Sequence, residues 1–339
     1  MEKNYRIVFT EQNKVAVEEF DMPEIGENDI LFQTEISQIS TGTELTMLQG
    51  NVEPDTPWAK SLKYPAYPGY SNVSKIVKVG SAVPGELVGR RVLTLAHHQK
   101  YFTFPQDEYN LMFVPDSVAS SDAVFGVIAQ VVMASIRASQ IRPGDASVVY
   151  GAGLVGQMLA RLVRLAGSSR VIVTDVSDER LALLPKDPCI FPFNSRNGNV
   201  RDFVKEHTVK NEGAAVVFET TSVPSLVQEE LTCLSRGGKL VITSSPKGKS
   251  VVDFDYCSRR YLTIIGAHNF QVHTPTETNR DRWTRKRDSD YFLELLDKKQ
   301  ITVDEMHTHR ANFRDAPAFY RMLMEDRTKA LSVCLTWED

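Results

Sequence analysis

Val148-Val149-Tyr150-Gly151-Ala152-Gly153-Leu154-Val155-Gly156 joins a short β-branched run to a helical apolar pattern that continues to Leu165. The spacing Gly-x-Gly-x-x-Gly is weak by itself and gains meaning from the strand before it and the helix after it. Gly151 permits the tight turn, Gly153 lets the backbone approach a pyrophosphate, and Gly156 lets helix and strand pack closely. The phosphates then meet the positive N-terminus of the helix. Gly151, Gly153, Leu154, Val155 and Gly156 are therefore read as a dinucleotide phosphate loop. The alternative is a structural glycine turn with a capping aspartate.

Outward from this loop, Arg170 to Thr174 reads as the next strand and delivers Asp175, 19 residues beyond Gly156. A carboxylate there accepts hydrogen bonds from a ribose diol and repels a 2′-phosphate, so NAD is expected over NADP. Arg180, on the following helix, softens that preference. Later strands read at Ala215–Phe218, Lys239–Thr243 and Thr263–Ile265. Strands alternating with helices indicate βαβ units and a parallel sheet. Glu219, Thr220 and Thr221, and Thr243, Ser244 and Ser245, end strands at the cofactor face and are read as ribose or nicotinamide contacts.

The first 120 residues look different, with short extended runs at Tyr5–Phe9, Ile30–Ile36, Val73–Val79 and Arg91–Leu95 separated by Pro and Gly turn signals. That pattern predicts a compact, largely antiparallel β domain. Beyond about residue 270 come a polar stretch, a helical pattern at Tyr291–Leu296 and a final strand near Leu331–Leu335. The predicted organisation is 1–120, 121–270 and 271–339. A length of 339 residues suits about two domains.

A net charge of -4 gives no electrostatic case for nucleic acid or an anionic membrane surface. The most apolar stretch, Ala123 to Ile136, falls short of the roughly 20 residues of a membrane span and reads as a buried helix. The N-terminus lacks the apolar core of a signal peptide. Cys189, Cys233, Cys257 and Cys334 form no CxxC pair, so neither a disulfide framework nor a cysteine zinc site is expected. A cytoplasmic protein acting on a small molecule is the expectation.

With the loop in place, more of the chain falls into a known pattern. Gly42-Thr43-Glu44-Leu45, Pro68-Gly69-Tyr70, Val114-Pro115-Asp116-Ser117-Val118, Arg142-Pro143-Gly144-Asp145 and Gly237-Gly238-Lys239-Leu240 resemble the medium-chain dehydrogenase/reductase family along nearly the whole chain. The resemblance implies a GroES-like β domain, completed by the C-terminal segment, and a doubly wound Rossmann domain, with the active site in the cleft between them. It also implies a homodimer whose sheet extends through strands near Thr263–Ile265.

The departures from the family are informative. Zinc members carry a cysteine where this chain has Thr41, and Gly-His-Glu where it has Gly69-Tyr70-Ser71. Their third ligand falls near Ile128 or Ala129, and their four-cysteine lobe is missing between Arg91 and Tyr101. Zinc needs thiolate, imidazole or carboxylate donors, so no metal is expected in the usual way. Ser40-Thr41-Gly42-Thr43-Glu44 with Pro68-Gly69-Tyr70 looks like a zinc-free branch that includes the bacteriochlorophyllide hydroxyethyl dehydrogenases.

Without zinc, polar side chains must stabilise a developing alkoxide or relay its proton. Thr43 matches the family's relay hydroxyl, or merely caps a helix. Glu44 matches a carboxylate supporting a zinc-bound histidine; here it would hydrogen-bond Tyr70, act as base, or serve the helix dipole. Tyr70 holds the place of the missing histidine and is both donor and acceptor. His97 and His98 precede Gln99-Lys100-Tyr101, which lines the substrate side in the family, and suit general-base work unless they are loop histidines. His268 and Asn269 follow Ile265-Gly266-Ala267, where the family contacts the nicotinamide carboxamide.

The expected activity is zinc-independent, NAD-dependent interconversion of a secondary alcohol and a ketone on a polar substrate such as a sugar, cyclitol or specialised-metabolite intermediate. The alternatives are an NADPH-dependent enone or quinone reductase and a redox-neutral or non-catalytic dinucleotide-binding protein. Arg280, Arg282, Arg285, Lys286 and Arg287 around Trp283 read as a solvated basic face, or as a site for a phosphate or acidic partner.

Overall fold

The computed structural model describes residues 3–52, 54–55, 57–106, 111–246, 248–269 and 283–338. The chain divides into two compact units, Met1–Val127 with Arg285–Asp339, and Ile128–Thr284.

The first unit opens with a hairpin of β1 (Asn4–Glu11) and β2 (Lys14–Phe20). Then come β3 (Asp29–Ile39), β4 (Asn72–Val79), β5 (Arg91–Thr94), β6 (Tyr101–Pro105) and β7 (Met112–Phe113). Strand β3 organises the sheet. Its side chains alternate between half-buried and buried through Ile36, as a strand with one face on a core must. It pairs antiparallel with β4 along most of its length and with β6 over Asp29–Gln33. Phe32 stacks on Phe102 at 5.0 Å in a core with Ile30, Ile76 and Val92.

The second unit contains β8 (Ala146–Tyr150), β9 (Arg170–Asp175), β10 (Ile190–Asn194), β11 (Ala214–Glu219), β12 (Leu234–Ile242) and β13 (Thr263–Gly266). They form one six-stranded sheet in the order β10-β9-β8-β11-β12-β13, with every pairing parallel. The order reverses between β8 and β11, so a crevice opens at their carboxyl ends, where doubly wound sheets bind ligands. Strand β10 carries Pro192, which an edge position tolerates.

The chain then returns to the first unit, adding β14 (His309–Asn312) and β15 (Val333–Thr336). Strand β15 pairs antiparallel with β3 over Ile36–Ile39, and β14 pairs parallel with β15. The return segment also carries Phe313, Tyr320 and Trp337 into a core with Ile7, Phe9, Ile39 and Leu48. Each such side chain contributes about 1.5–3 kcal/mol by leaving water. The architecture is thus α/β, a Rossmann doubly wound parallel sheet with a GroES-like, mainly antiparallel β unit. Residues 120–139 form a stretch long and apolar enough to cross a membrane, and most of it is buried inside the protein.

Candidate active site

The glycine loop has the geometry its spacing predicts. Gly151 sits at φ +99°, in the left-handed region that favours glycine, and a Cβ there would lie 2.8 Å from Thr220 Oγ1. A Cβ on Gly156 would fall 1.8 Å from the Gly151 carbonyl oxygen, so helix and strand close only because it is absent. Gly153 is different, because a Cβ there would meet nothing within 4 Å. It opens the helix Leu154–Leu165 without a side-chain cap. The first N–H groups of that helix are therefore left for a ligand, as a phosphate site requires.

Asp175 ends β9 beside this loop. Its Oδ2 accepts a hydrogen bond from Ala152 N at 2.7 Å and its Oδ1 one from Ser177 N at 2.9 Å. Two of its roughly four acceptor positions remain, enough for a ribose diol. The Thr220 hydroxyl donates to the Tyr150 carbonyl at 2.7 Å and fastens the ends of β8 and β11.

The buried Glu219 carboxylate gathers the two loops that follow. It accepts from Thr221 N at 2.6 Å and Ser222 N at 2.7 Å, and from the hydroxyls of Thr221 and Ser244. Thr243 is also buried, and its hydroxyl has no hydrogen-bond partner among the described residues. After β13, His268 is exposed and Asn269 buried. A nicotinamide dinucleotide fits these residues. The Gly151–Gly156 loop offers open N–H groups, Asp175 free acceptors and Thr243 an unused hydroxyl.

In the other unit, Tyr70 is half-buried and donates its phenol proton to Ser40 Oγ at 2.6 Å. The Thr43 side chain lies near enough to the phenol to lower its pKa slightly. Ser40 Oγ accepts from Thr43 N at 3.3 Å, so Ser40 rather than Thr43 closes the start of the helix Thr43–Gln49. Burial, with the Glu44 charge second among the raising influences, holds the Tyr70 phenol above its ordinary value.

Glu44 does not turn to Tyr70 for a hydrogen bond. Its Oε1 accepts from Ser40 N at 3.1 Å, while Oε2 lies 3.2 Å from His98 Nε2 and accepts from the Tyr320 hydroxyl. His98 Nδ1 lies 2.8 Å from Ser37 Oγ, which accepts from Trp337 Nε1 at 2.9 Å. A carboxylate only accepts, so His98 turns its Nε2–H to Glu44, while Ser37 Oγ takes the indole N–H and bonds the other ring nitrogen.

Glu44, His98 and Tyr320 are all fully buried. The expected histidine pair therefore divides, with His98 inside and His97 exposed at one edge, its Nδ1 3.2 Å from the Gly69 carbonyl. Desolvation on the ring's inner side holds His97 below the ordinary histidine value, against the pull of that carbonyl.

The positions that hold zinc ligands in the resembling family are differently used. The Ser71 hydroxyl is buried and donates to the Val124 carbonyl at 2.6 Å, while Ile128 and Ala129 are buried hydrocarbon. A zinc ion does not fit that donor set. A separate polar cavity of about 650 Å³, lined by Gln33, Thr34, Lys75, Lys100, Arg310 and Trp337 among others, includes none of the expected catalytic residues. Of the basic stretch, Arg280 and Arg282 lie outside the described residues, Lys286 pairs with Asp290 at 2.6 Å, and Arg137 stacks 3.3 Å over Trp283.

Sequence reasoning missed Ser37, Tyr320, Trp337 and the organising role of Glu219. Ser40 and Glu219 did lie inside stretches already singled out.

A family model described as zinc-binding dehydrogenase matches residues 155–281. L-threonine 3-dehydrogenase of Pseudoalteromonas translucida is 23% identical over 93% of this chain and 94% of its own. The crystal structure of 2R,3R-butanediol dehydrogenase from Bacillus subtilis superposes with a TM-score of 0.82 at 16% identity, covering 99% of this chain and 100% of the other. Galactitol-1-phosphate dehydrogenase from Escherichia coli gives 0.82 at 17%, over 98% and 100%. Together with the two sheets and the glycine loop, these likenesses show a fold shared with those dehydrogenases. In fold the chain is similar to the medium-chain dehydrogenases/reductases.

Proposed function

We propose that this protein is a zinc-independent, NAD-dependent dehydrogenase that converts a secondary alcohol to a ketone, or the reverse, on a polar hydroxylated small molecule such as a sugar, cyclitol or specialised-metabolite intermediate. The observation that carries this reading is the hydroxyl cluster of Tyr70, Ser40 and Thr43 at positions where zinc members of the family hold their metal and its relay. The bound nicotinamide supplies the hydride acceptor or donor. Tyr70 supplies the electrophile. Its raised pKa keeps the phenol protonated at neutral pH and a poor base, and its one proton, given to Ser40 Oγ in the structure, turns to a substrate oxygen while Ser40 donates to the phenol in exchange. Ser40 and Thr43 hold that phenol and offer a path for replacing its proton.

Asp175 supports NAD, because its acceptor positions suit a diol and its charge opposes a 2′-phosphate. Glu44 and His98 support the hydroxyl cluster from within rather than meeting substrate. Exposed apolar side chains around the edge strand β13, namely Val251, Phe254, Tyr261 and Ile264, support a homodimer built on that edge, in a cytoplasmic protein. The experiment is a fluorescence titration with NADH and NADPH, followed by a screen of secondary alcohols and ketones by nicotinamide absorbance with wild type and Tyr70→Phe. NADH preference, with turnover that drops at least about 100-fold in Tyr70→Phe, is the expected result. NADPH preference or an unaffected variant overturns the reading.

A further inference from the structure

The Tyr70–Ser40 pair is anchored from behind by groups remote in sequence. Ser40 N donates to Glu44 Oε1, and the other oxygen of that carboxylate is claimed by His98 and by Tyr320, which comes from the helix Ala316–Glu325. Tyr320 stands edge-on to Phe9, with centroids 5.1 Å apart, so its hydroxyl has little freedom. His98 is held at its far nitrogen by Ser37, which Trp337 fixes in turn. Trp337 stacks on Phe313 at 4.7 Å and 2°. Glu44 is the branch point, joined to Ser40, His98 and Tyr320, and aromatic packing holds the two far ends, Tyr320 against Phe9 and Trp337 against Phe313.

We propose that Tyr320 and His98 are positioning residues for Tyr70: by clamping Glu44 they fix Ser40, whose hydroxyl holds the phenol where a substrate oxygen is met. The proposal rests on the reading of Tyr70 as the substrate-facing donor. Burial first, and then the Glu44 charge, holds the Tyr320 hydroxyl well above its ordinary value, so it stays a donor to the carboxylate. The titratable groups around the phenol are Glu44 from the helix Thr43–Gln49, Tyr320 from the C-terminal helix, and His97 and His98 from the loop before β6.

The test uses the full chain carrying ¹³Cζ-tyrosine, with the Tyr70 resonance assigned by its loss in Tyr70→Phe. In a folded Tyr320→Phe protein the Tyr70 resonance is expected to leave its wild-type position, while NADH affinity stays within about twofold and kcat falls about 10-fold. A Tyr70 resonance that stays in place overturns the proposal. Should Tyr320→Phe not fold, Ser37→Ala gives the same comparison, since it releases His98 Nδ1 and leaves the core volume nearly intact. Failure of the underlying reading shows separately, as a Tyr70→Phe enzyme with wild-type turnover.

Discussion

Glu44 and His98 meet inside the first unit with carboxylate Oε2 3.2 Å from imidazole Nε2, and both side chains are excluded from water. All the direct contacts to this carboxylate, from Ser40 N, His98 Nε2 and the Tyr320 hydroxyl, come from donors. An amide in its place must set an N–H against one of them. Glu44→Gln, although isosteric, is therefore expected to lower stability by about 2 kcal/mol or more, and Glu44→Ala by about 3–5 kcal/mol. Urea unfolding measures both. A neutral Glu44→Gln substitution contradicts the donor assignment.

The glycines of the loop separate by role. Gly156→Ala drives a Cβ into the Gly151 carbonyl and is expected to cut stability by several kcal/mol. Gly153 has φ -71° and open space around it, so Gly153→Ala is expected to keep the melting temperature within about 2 °C. It nonetheless weakens dinucleotide binding, because the methyl occupies the approach of the phosphates. Calorimetry and a fluorescence titration on the two variants distinguish these outcomes, and equal loss of stability in both refutes the division.

Asp175 holds the loop through Ala152 N and Ser177 N, and on the proposed function it also meets the ribose. Asp175→Ala removes the acceptors for Ala152 N and Ser177 N, so NADH affinity is expected to fall about 10-fold. The 2′-phosphate repulsion disappears in the same step, so NADPH affinity should fall less, or rise. The ratio of the two dissociation constants is the measurement, and an unchanged ratio removes Asp175 from cofactor choice.

Glu230, in the helix Val227–Thr232, is fully buried, and neither of its oxygens has a hydrogen-bond partner. Burial, and then the charges of Glu219 and Glu229, push its pKa up to about 9 from 4.5. Between those values the folded protein holds a proton that the unfolded chain has released. This group therefore makes stability decline as pH rises from 4.5 to about 9, with no further change above. Glu230→Leu removes that decline and is expected to exceed wild type by up to about 5 kcal/mol at pH 8 and by far less at pH 5. Unfolding at the two pH values decides, and an equal difference at both would falsify the assignment.

The glycine loop, the strands around it and Asp175 were legible because each is a local event. A strand, a turn that only glycine permits and an amphipathic helix leave their marks within 30 consecutive residues. Strand β10 was not legible, since Pro192 reads as a break until the sheet places it at an edge. The β-rich character of the first 120 residues was also local, carried by Pro, Gly and β-branched patterning.

The chemistry around Tyr70 was only half legible. Thr43, Glu44 and Tyr70 stood in quoted motifs with Ser40, and His98 was singled out, but Ser37, Tyr320 and Trp337 were not. Tyr320 lies 276 residues from Glu44, and Trp337 lies 300 residues from Ser37. Periodicity and spacing record which residues share a face of one element, and hold nothing about which distant side chains complete a buried hydrogen-bond set. By itself, the sequence determined a glycine turn between a strand and a helix of a parallel sheet, and an aspartate at the end of the second strand. Only the tertiary structure decided that Glu44 and His98 neutralise one another's polar demands in the interior. Desolvated donors and acceptors must find partners wherever the fold brings them, and that pairing leaves Tyr70, Ser40 and Thr43 as the hydroxyl cluster.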